Sequence, residues 1–154
     1  MLVKVVRLSD EHHDELHELL IAENWTQLAK ELREDGLRVF TQYVALVDGH
    51  VVGWLEGILR YKMEPDIPQF PKPWAQINYV LVHPALRRRG VAGSLIRHFA
   101  RDEGAVGRAF VVLWTDWSNA AHLSFVETFG FASLPGTDLL GASLERVLAS
   151  LDLS

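Results

Sequence analysis

The chain has 154 residues, a formal net charge of −5, 49% hydrophobic residues and no cysteine, which is typical of a globular protein with one domain over residues 1–154. The absence of cysteine excludes disulfides, thiolate metal ligands and a cysteine nucleophile, and the negative charge argues against a general nucleic-acid binder. No apolar run approaches the ~18 residues of a membrane span and no signal peptide opens the sequence, so we expect a cytoplasmic protein without membrane contact.

The first half of the chain predicts a strand, two helices and a β-hairpin. The expected elements are a strand over Val3–Leu8, a helix capped by Ser9 or Asp10, a helix over Trp25–Glu34 ended by Gly36, and strands over Val39–Val47 and Val51–Tyr61. The last two are joined by Asp48-Gly49, which is among the strongest short-range indications of a hairpin turn.

The second half predicts alternating strands and helices. The expected elements are a strand over Trp74–Val82, a helix that begins near Gly90, a strand over Arg108–Trp114, a helix over Ser118–Phe129, a short strand from Phe131 and a strand around Ser143–Leu148. The helix after Gly90 is indicated by Val91, Leu95 and Phe99, which recur every four residues.

The most informative stretch is the turn between the apolar strand and that helix, which reads Arg87-Arg88-Arg89-Gly90-Val91-Ala92-Gly93-Ser94. A helix N-terminus offers unpaired backbone N–H groups and a positive dipole end, and small residues let a phosphate approach them. The turn therefore indicates a diphosphate site. Tight packing of the glycines and a merely solvated basic surface are the alternatives. The spacing fits neither a P-loop nor a dinucleotide fingerprint.

Two blocks of sequence resemble one known family. Arg87-x-x-Gly90-x-Ala92 fits the pattern Arg/Gln-x-x-Gly-x-Gly/Ala and is similar to the acetyl-CoA loop of the GNAT superfamily, the Gcn5-related N-acetyltransferases. Asn119 followed by Phe125–Phe131 resembles a second block of that family at the same spacing. The resemblance implies an α/β (α+β) fold. Its central sheet is expected to be mixed, mostly antiparallel and six- to seven-stranded, with splayed central strands and about four flanking helices.

The resemblance also implies an N-acetyltransferase that moves an acetyl group directly from acetyl-CoA to a primary amine of a small molecule or peptide. The residues expected to bind acetyl-CoA are Leu81, Val82, Arg87, Arg88, Arg89, Gly90, Val91, Ala92, Gly93, Ser94 and Asn119. A homodimer is compatible with the fold. We expect no metal, because His13 and His17 have a spacing that zinc ligands use but no third ligand is placed by the sequence.

The catalytic residues are less clearly indicated. The family's frequent general-acid tyrosine falls at Val126, and its frequent general-base glutamate falls near Asn78 or Tyr79. The candidate catalytic residues are Glu56, Tyr79 and Asp116. Glu56 interrupts an apolar strand, where partial desolvation favours proton acceptance near neutral pH, although a solvent-facing or salt-bridged carboxylate is the alternative. The missing acid and base also leave open a non-catalytic acyl-CoA sensor, and a longer acyl group is not excluded.

Overall fold

In a computed structural model of the protein, the described residues are 1–35, 41–60, 68, 69, 71, 74–114 and 129–152. The described strands are β1 (Lys4–Arg7), β2 (Thr41–Val47), β3 (His50–Arg60), β4 (Trp74–Val82), β5 (Phe110–Trp114), β6 (Ala132–Ser133) and β7 (Leu139–Ser143). The described α-helices are α1 (His13–Ala22), α2 (Thr26–Asp35), α3 (Val91–Ala105) and α4 (Leu144–Asp152). Short 3-10 turns precede α1 at Asp10–His12 and follow β4 at Pro84–Leu86.

The seven strands form one mixed sheet in the order β1-β2-β3-β4-β5-β7-β6. β4 and β5 run parallel, whereas β1 with β2, β5 with β7 and β6 with β7 are antiparallel. A parallel pair requires a crossover connection, and α3 lies in the chain between β4 and β5. The predicted mixed sheet and its flanking helices are confirmed.

The predicted hairpin is also confirmed, and its turn has the expected geometry. β2 and β3 are joined by Asp48 and Gly49, whose φ angles are 51° and 81°. A two-residue turn with positive φ at both positions matches the right-handed twist of the flanking strands. This geometry explains why Asp-Gly is favoured between the two strands.

The chain divides into two compact units, and each has its own apolar cluster. The first unit consists of Met1–Glu56 and Tyr79–Ile96, and the second of Gly57–Asn78 and Arg97–Ser154. The buried cluster of the first unit is Leu16, Leu19, Leu20, Ala29, Leu32, Val44, Val51, Trp54 and Leu81. That of the second unit is Trp74, Val112, Leu134 and Leu139. The leucines of α1 thus form the apolar helix face that their spacing predicts.

The expected strand around Ser143–Leu148 is wrong, because β7 ends at Ser143 and α4 follows directly. The Ser143 hydroxyl accepts a hydrogen bond from the Arg146 amide at 3.1 Å, which caps the helix. Leu144 and Val147 are buried three positions apart, as one helix face requires. The apolar residues in this segment therefore follow the helical period and not the strand period.

Several expectations fall wholly or partly outside the described residues, among them Asp116, most of the Phe125–Phe131 block and three others. The three others are the helix over Ser118–Phe129, of which only Phe129 is described, its second-block residue Asn119, and Gly36 as the end of α2. Gly130 is described and adopts a φ of 82°, the conformation that glycine provides just after a helix. No helix within the described ranges is long and apolar enough to cross a membrane.

Candidate functional site

The loop after β4 is a compact turn that leads into α3. The His83 amide donates to the Val52 carbonyl at 2.8 Å, and the His83 ring accepts from the Ala85 amide at 3.1 Å. The 3-10 turn at Pro84–Leu86 follows, and residues 87–90 then form an exposed turn. The sheet therefore ends at a fixed point, and the loop leaves it in a fixed direction.

Gly90 occupies a position that packing does not explain. Its φ is 82°, and a Cβ atom placed there would meet no atom within 4 Å. Arg88, two positions earlier, also has a positive φ of 64°, which is uncommon for a residue with a side chain. Such turns aim successive backbone N–H groups at a common point and form anion-binding concavities. The alternative of tight packing is therefore wrong at Gly90. The open backbone there is compatible both with the predicted anion cradle and with a merely solvated basic surface.

The start of α3 supplies further donors to the same loop. The Ser94 amide and hydroxyl both donate to the Gly90 carbonyl at 3.0 Å, so the first helical hydrogen bond is made by Ser94. The preceding amides of Val91, Ala92 and Gly93 have no acceptor within the helix by its geometry. Val91 is buried and anchors this end. These amides and the helix dipole together favour an anion at this point.

The three arginines of the loop do not behave alike. The Arg87 guanidinium donates from Nη2 to Glu23 Oε2 at 2.9 Å and from Nε to the Val82 carbonyl at 3.3 Å. Arg88 and Arg89 are exposed, and neither makes an ion pair or hydrogen bond with any described residue. Two of the three arginines are therefore available to an approaching anion.

The end of β4 provides backbone beside this loop. Within the described ranges, the parallel ladder joins β4 to β5 at Ala75↔Val111 and Gln76↔Val112 only, although β4 continues to Val82. The Leu81 side chain is buried, and the Val82 carbonyl accepts from Arg87. The expected role of the backbone at Leu81 and Val82 toward a ligand stays a prediction.

Glu56 is a fully buried carboxyl group, with 0% of its surface exposed. It lies on β3, where Trp54 and Leu55 are also fully buried. The solvent-facing alternative for Glu56 is therefore wrong. Transfer of a carboxylate out of water penalises its charged form, which makes a buried carboxyl group a natural proton acceptor for a neighbouring cation.

Tyr79 is the exposed member of an aromatic stack in the first unit. It is 38% exposed, and its ring lies parallel to that of Trp54, with centroids 5.8 Å apart and an interplanar angle of 15°. The Trp25 ring lies 5.7 Å from it at 59°. Trp54 is itself fixed, because its indole N–H donates to Gln42 Oε1 at 3.1 Å. The stack holds the phenol of Tyr79 in place at the surface.

Trp25 was not among the predicted site residues, although its position carries an unusual feature. It precedes α2, and the Ala29 amide donates to its carbonyl at 3.0 Å, so it occupies the N-cap position. Helices favour Ser, Thr, Asp or Asn there, and tryptophan satisfies none of the unpaired amides. The Trp25 side chain packs against the buried cluster of the first unit and also contacts the Tyr79 ring.

Gln76 is a second residue that the sequence interpretation missed. Its side chain is 2% exposed, and its Nε2 donates to Asn78 Oδ1 at 2.6 Å. Its Oε1 is buried without a hydrogen-bond partner in the described chain. A buried amide oxygen favours a donor, either a water or a ligand N–H. The polar residues that interrupt the apolar run of β4 were the available indication.

The structure brings most of the described candidates into one unit. Glu56, Tyr79, Leu81, Val82 and residues 87–94 all belong to the first unit. Asp116 and Asn119 lie outside the described residues, so their expected roles stay predictions. Among the residues that the structure describes, no three His, Asp or Glu side chains group as metal ligands.

Comparisons with known proteins identify a matching family and similar solved structures. The chain matches the sequence model of a family described as the acetyltransferase (GNAT) family over residues 5–131. A comparison with the curated proteins finds no significant match. Solved structures with a similar fold do exist, and at the identities below they bear on the fold alone.

Three of these structures illustrate the likeness. YhbS of Escherichia coli in complex with CoA has a TM-score of 0.66 and 21% identity, and covers 95% of this chain and 84% of its own. The aminoglycoside N-acetyltransferase AAC(6')-Iy in complex with CoA has a TM-score of 0.69 and 19% identity, covering 87% and 95%. AtaTR bound with acetyl-CoA has a TM-score of 0.62 and 17% identity, covering 98% and 96%.

Proposed function

Because the chain belongs to the GNAT acetyltransferase family, we propose that it transfers an acetyl group from acetyl-CoA to the primary amine of a small molecule or peptide. The observation that carries the proposal is the cradle at Gly90. A positive φ, open space where a Cβ would lie and the N-terminus of α3 coincide there. The similar structures with bound CoA or acetyl-CoA support the choice of anion.

The residues present fit a diphosphate group. The amides of residues 88–93 would hold it, because the Ser94 amide is used by the Gly90 carbonyl. Arg88 and Arg89 would supply positive charge, and the backbone at Leu81 and Val82 would pair with the pantetheine arm. The expected contact of Asn119 with that arm belongs to the same proposal. Bound acetyl-CoA supplies a thioester, whose acyl carbon is the electrophile. The remaining chemistry belongs to the side chains of the chain.

Acetyl transfer requires an uncharged amine, so a group must accept the ammonium proton. Glu56 is the proposed acceptor, since burial disfavours the charged form of a carboxylate and thereby favours transfer of the ammonium proton to it. Tyr79 is the second candidate catalytic residue, because its partly exposed ring is held by Trp54 and Trp25; a neutral phenol donates a proton, so its role would be to protonate the leaving thiolate. Asp116 is the third. The chain has no cysteine, so no cysteine acyl-enzyme forms, and the proposed reaction is direct transfer.

A second candidate function is an acyl-CoA sensor without chemistry. The observation that favours it is the side chain at Val126, which replaces the family's frequent general-acid tyrosine. Direct transfer does not need that tyrosine, because a thiolate is a good leaving group. Turnover with any amine therefore separates the two functions.

The cofactor half of the proposal is tested by comparing acetyl-CoA with S-acetylpantetheine, which carries the same thioester without the diphosphate. Acetyl-CoA at 100 times its Kd should stabilise the protein by about 2.7 kcal/mol, measured as a rise in Tm. S-acetylpantetheine at the same concentration should have little effect. Equal stabilisation by the two compounds would show that the loop does not bind the diphosphate.

A further inference from the structure

We infer that Arg87 is a positioning residue and not a ligand of the diphosphate: it ties the cofactor loop to the turn between α1 and α2. This inference rests on the proposed binding of coenzyme A at the loop. It divides the three arginines into two that face the cofactor and one that faces the rest of the first unit.

The first observation is how Arg87 is held. Its guanidinium makes two hydrogen bonds at once, with Glu23 Oε2 at 2.9 Å and with the Val82 carbonyl at 3.3 Å. To reach a phosphate, the side chain would have to give up both. Arg88 and Arg89 have no such bonds to any described residue, so they meet an anion at no comparable cost.

The second observation is the burial of the carboxylate partner. The Glu23 side chain is only 18% exposed, whereas that of Arg87 is 53% exposed. An exposed ion pair contributes little to stability, but a mostly buried carboxylate that loses its cation is left poorly solvated. Separation of Arg87 from Glu23 therefore costs free energy, because the Glu23 carboxylate would be left poorly solvated. This cost favours the ion pair in the cofactor-bound protein as well.

The third observation is the rigidity of the turn that carries Glu23. The Glu23 amide donates to the Leu19 carbonyl at 3.2 Å, and the Trp25 amide donates to the Leu20 carbonyl at 2.8 Å. Asn24 between them has a φ of 65°, so the turn has one defined backbone conformation. A shift of Glu23 is thereby passed to Trp25, two positions later.

Trp25 in turn contacts Tyr79, the exposed candidate catalytic residue, with ring centroids 5.7 Å apart. A continuous set of contacts therefore runs from the loop through Arg87, Glu23 and Trp25 to Tyr79. When coenzyme A orders the loop, Arg87 restrains Glu23, and the turn between α1 and α2 opens less often. The consequence is that cofactor binding prepares the surface around Tyr79 for the acceptor.

The test is hydrogen exchange of the intact protein with and without coenzyme A, read in two peptides that cover residues 87–94 and 20–28. In the wild type, coenzyme A should slow exchange in both peptides, with about tenfold slowing in 20–28. In Glu23→Gln it should slow exchange in 87–94 only, with unchanged affinity for coenzyme A.

Glu103→Gln is the matched control. Glu103 is also paired with an arginine, Arg108 at 3.7 Å, and its side chain is 16% exposed, close to the value for Glu23. This variant should behave as the wild type in both peptides. If coenzyme A no longer protects 20–28 in Glu103→Gln, the loss follows from removing any paired glutamate, and the inference is overturned.

Three other results overturn the inference. They are a lack of protection of 20–28 in the wild type, equal protection in Glu23→Gln, and faster exchange of 20–28 on binding, which would mean that Arg87 leaves Glu23 for the diphosphate. A lack of protection in 87–94 has a different meaning, because it contradicts the proposed cofactor site itself. The two failures are thus distinguishable in one experiment.

Discussion

Two glycines of the first unit, one on β3 and one in the loop before α3, are glycine for different reasons, one for packing and one for backbone conformation. A Cβ atom placed at Gly53, on β3, would lie 3.0 Å from the Val91 side chain and 3.2 Å from that of Leu95, so packing favours a glycine there. Gly90 has no such neighbour: its φ is 82°, and a Cβ atom placed there would lie in open space. The positive φ explains a glycine at position 90, and the open space beside it leaves its backbone accessible from outside.

The first prediction compares two glycines of the same conformation. Gly107 also has a positive φ, 89°, and open space around its Cβ position. Gly90→Ala and Gly107→Ala should each cost about 1–2 kcal/mol of unfolding free energy, since an L-residue is strained at this φ. Only Gly90→Ala should weaken coenzyme A binding, about tenfold by calorimetry, or about 1.4 kcal/mol. Equal affinity in the two variants would contradict the cradle.

The second prediction concerns Glu56 as the proton acceptor. Glu56→Gln should lower the rate of acetyl transfer about 100-fold near pH 7, because a general base is lost. The loss should shrink toward about pH 9, where more of the amine is uncharged in solution and needs no base. The affinity for acetyl-CoA should stay unchanged. A loss of equal size across the pH range would assign Glu56 a structural role.

At the scale of elements, the sequence predicts best where one local rule determines the geometry. Asp48-Gly49 and the spacing of Val91, Leu95 and Phe99 each indicate one element, and both are confirmed. The segment after Ser143 has no such single rule, because its apolar residues follow directly on a strand. Its helix is stabilised by the local Ser143 cap and by the burial of Val147, and only the burial depends on tertiary packing.

The third prediction tests that cap. Ser143→Ala should destabilise the protein by about 1 kcal/mol in chemical denaturation, because the Arg146 amide loses its acceptor. Ser150 lies in the same helix, where its hydroxyl donates to the Arg146 carbonyl. Ser150→Ala is the control and should change stability by less than about 0.5 kcal/mol, since alanine favours a helix interior. A similar loss in both variants would contradict the capping role.

The fourth prediction concerns the charges at the start of α3. Arg88→Ala/Arg89→Ala should weaken coenzyme A binding about tenfold at low ionic strength, because two charge-assisted contacts to the diphosphate are lost. The difference from the wild type should narrow as salt screens the exposed charges. Arg101→Ala, an exposed arginine farther along α3, is the control and should bind normally. If the double variant at Arg88 and Arg89 binds coenzyme A as the wild type does, the backbone amides alone hold the anion.

For the whole molecule, contacts between distant segments were beyond sequence interpretation. The loop residues are contiguous, so their pattern was sufficient to locate them. Arg87 and Glu23, in contrast, are 64 positions apart, and no periodicity relates them. The tilted contact of Trp25 with Tyr79 likewise joins residues that are far apart in the chain. The loop could therefore be located from the sequence alone, whereas the contacts of Arg87 with Glu23 and of Trp25 with Tyr79 required coordinates.

The central claim is that the chain transfers an acetyl group to an amine. Its most direct test is release of coenzyme A from acetyl-CoA across a panel of polyamines, aminoglycosides, amino acids and peptide N-termini, with mass spectrometry of the products. We predict amine-dependent thiol release with at least one compound, whose product is heavier by one acetyl group. The contrary result is that acetyl-CoA binds, yet coenzyme A is released no faster with any amine than by background hydrolysis. That result would contradict the claim and favour the sensor.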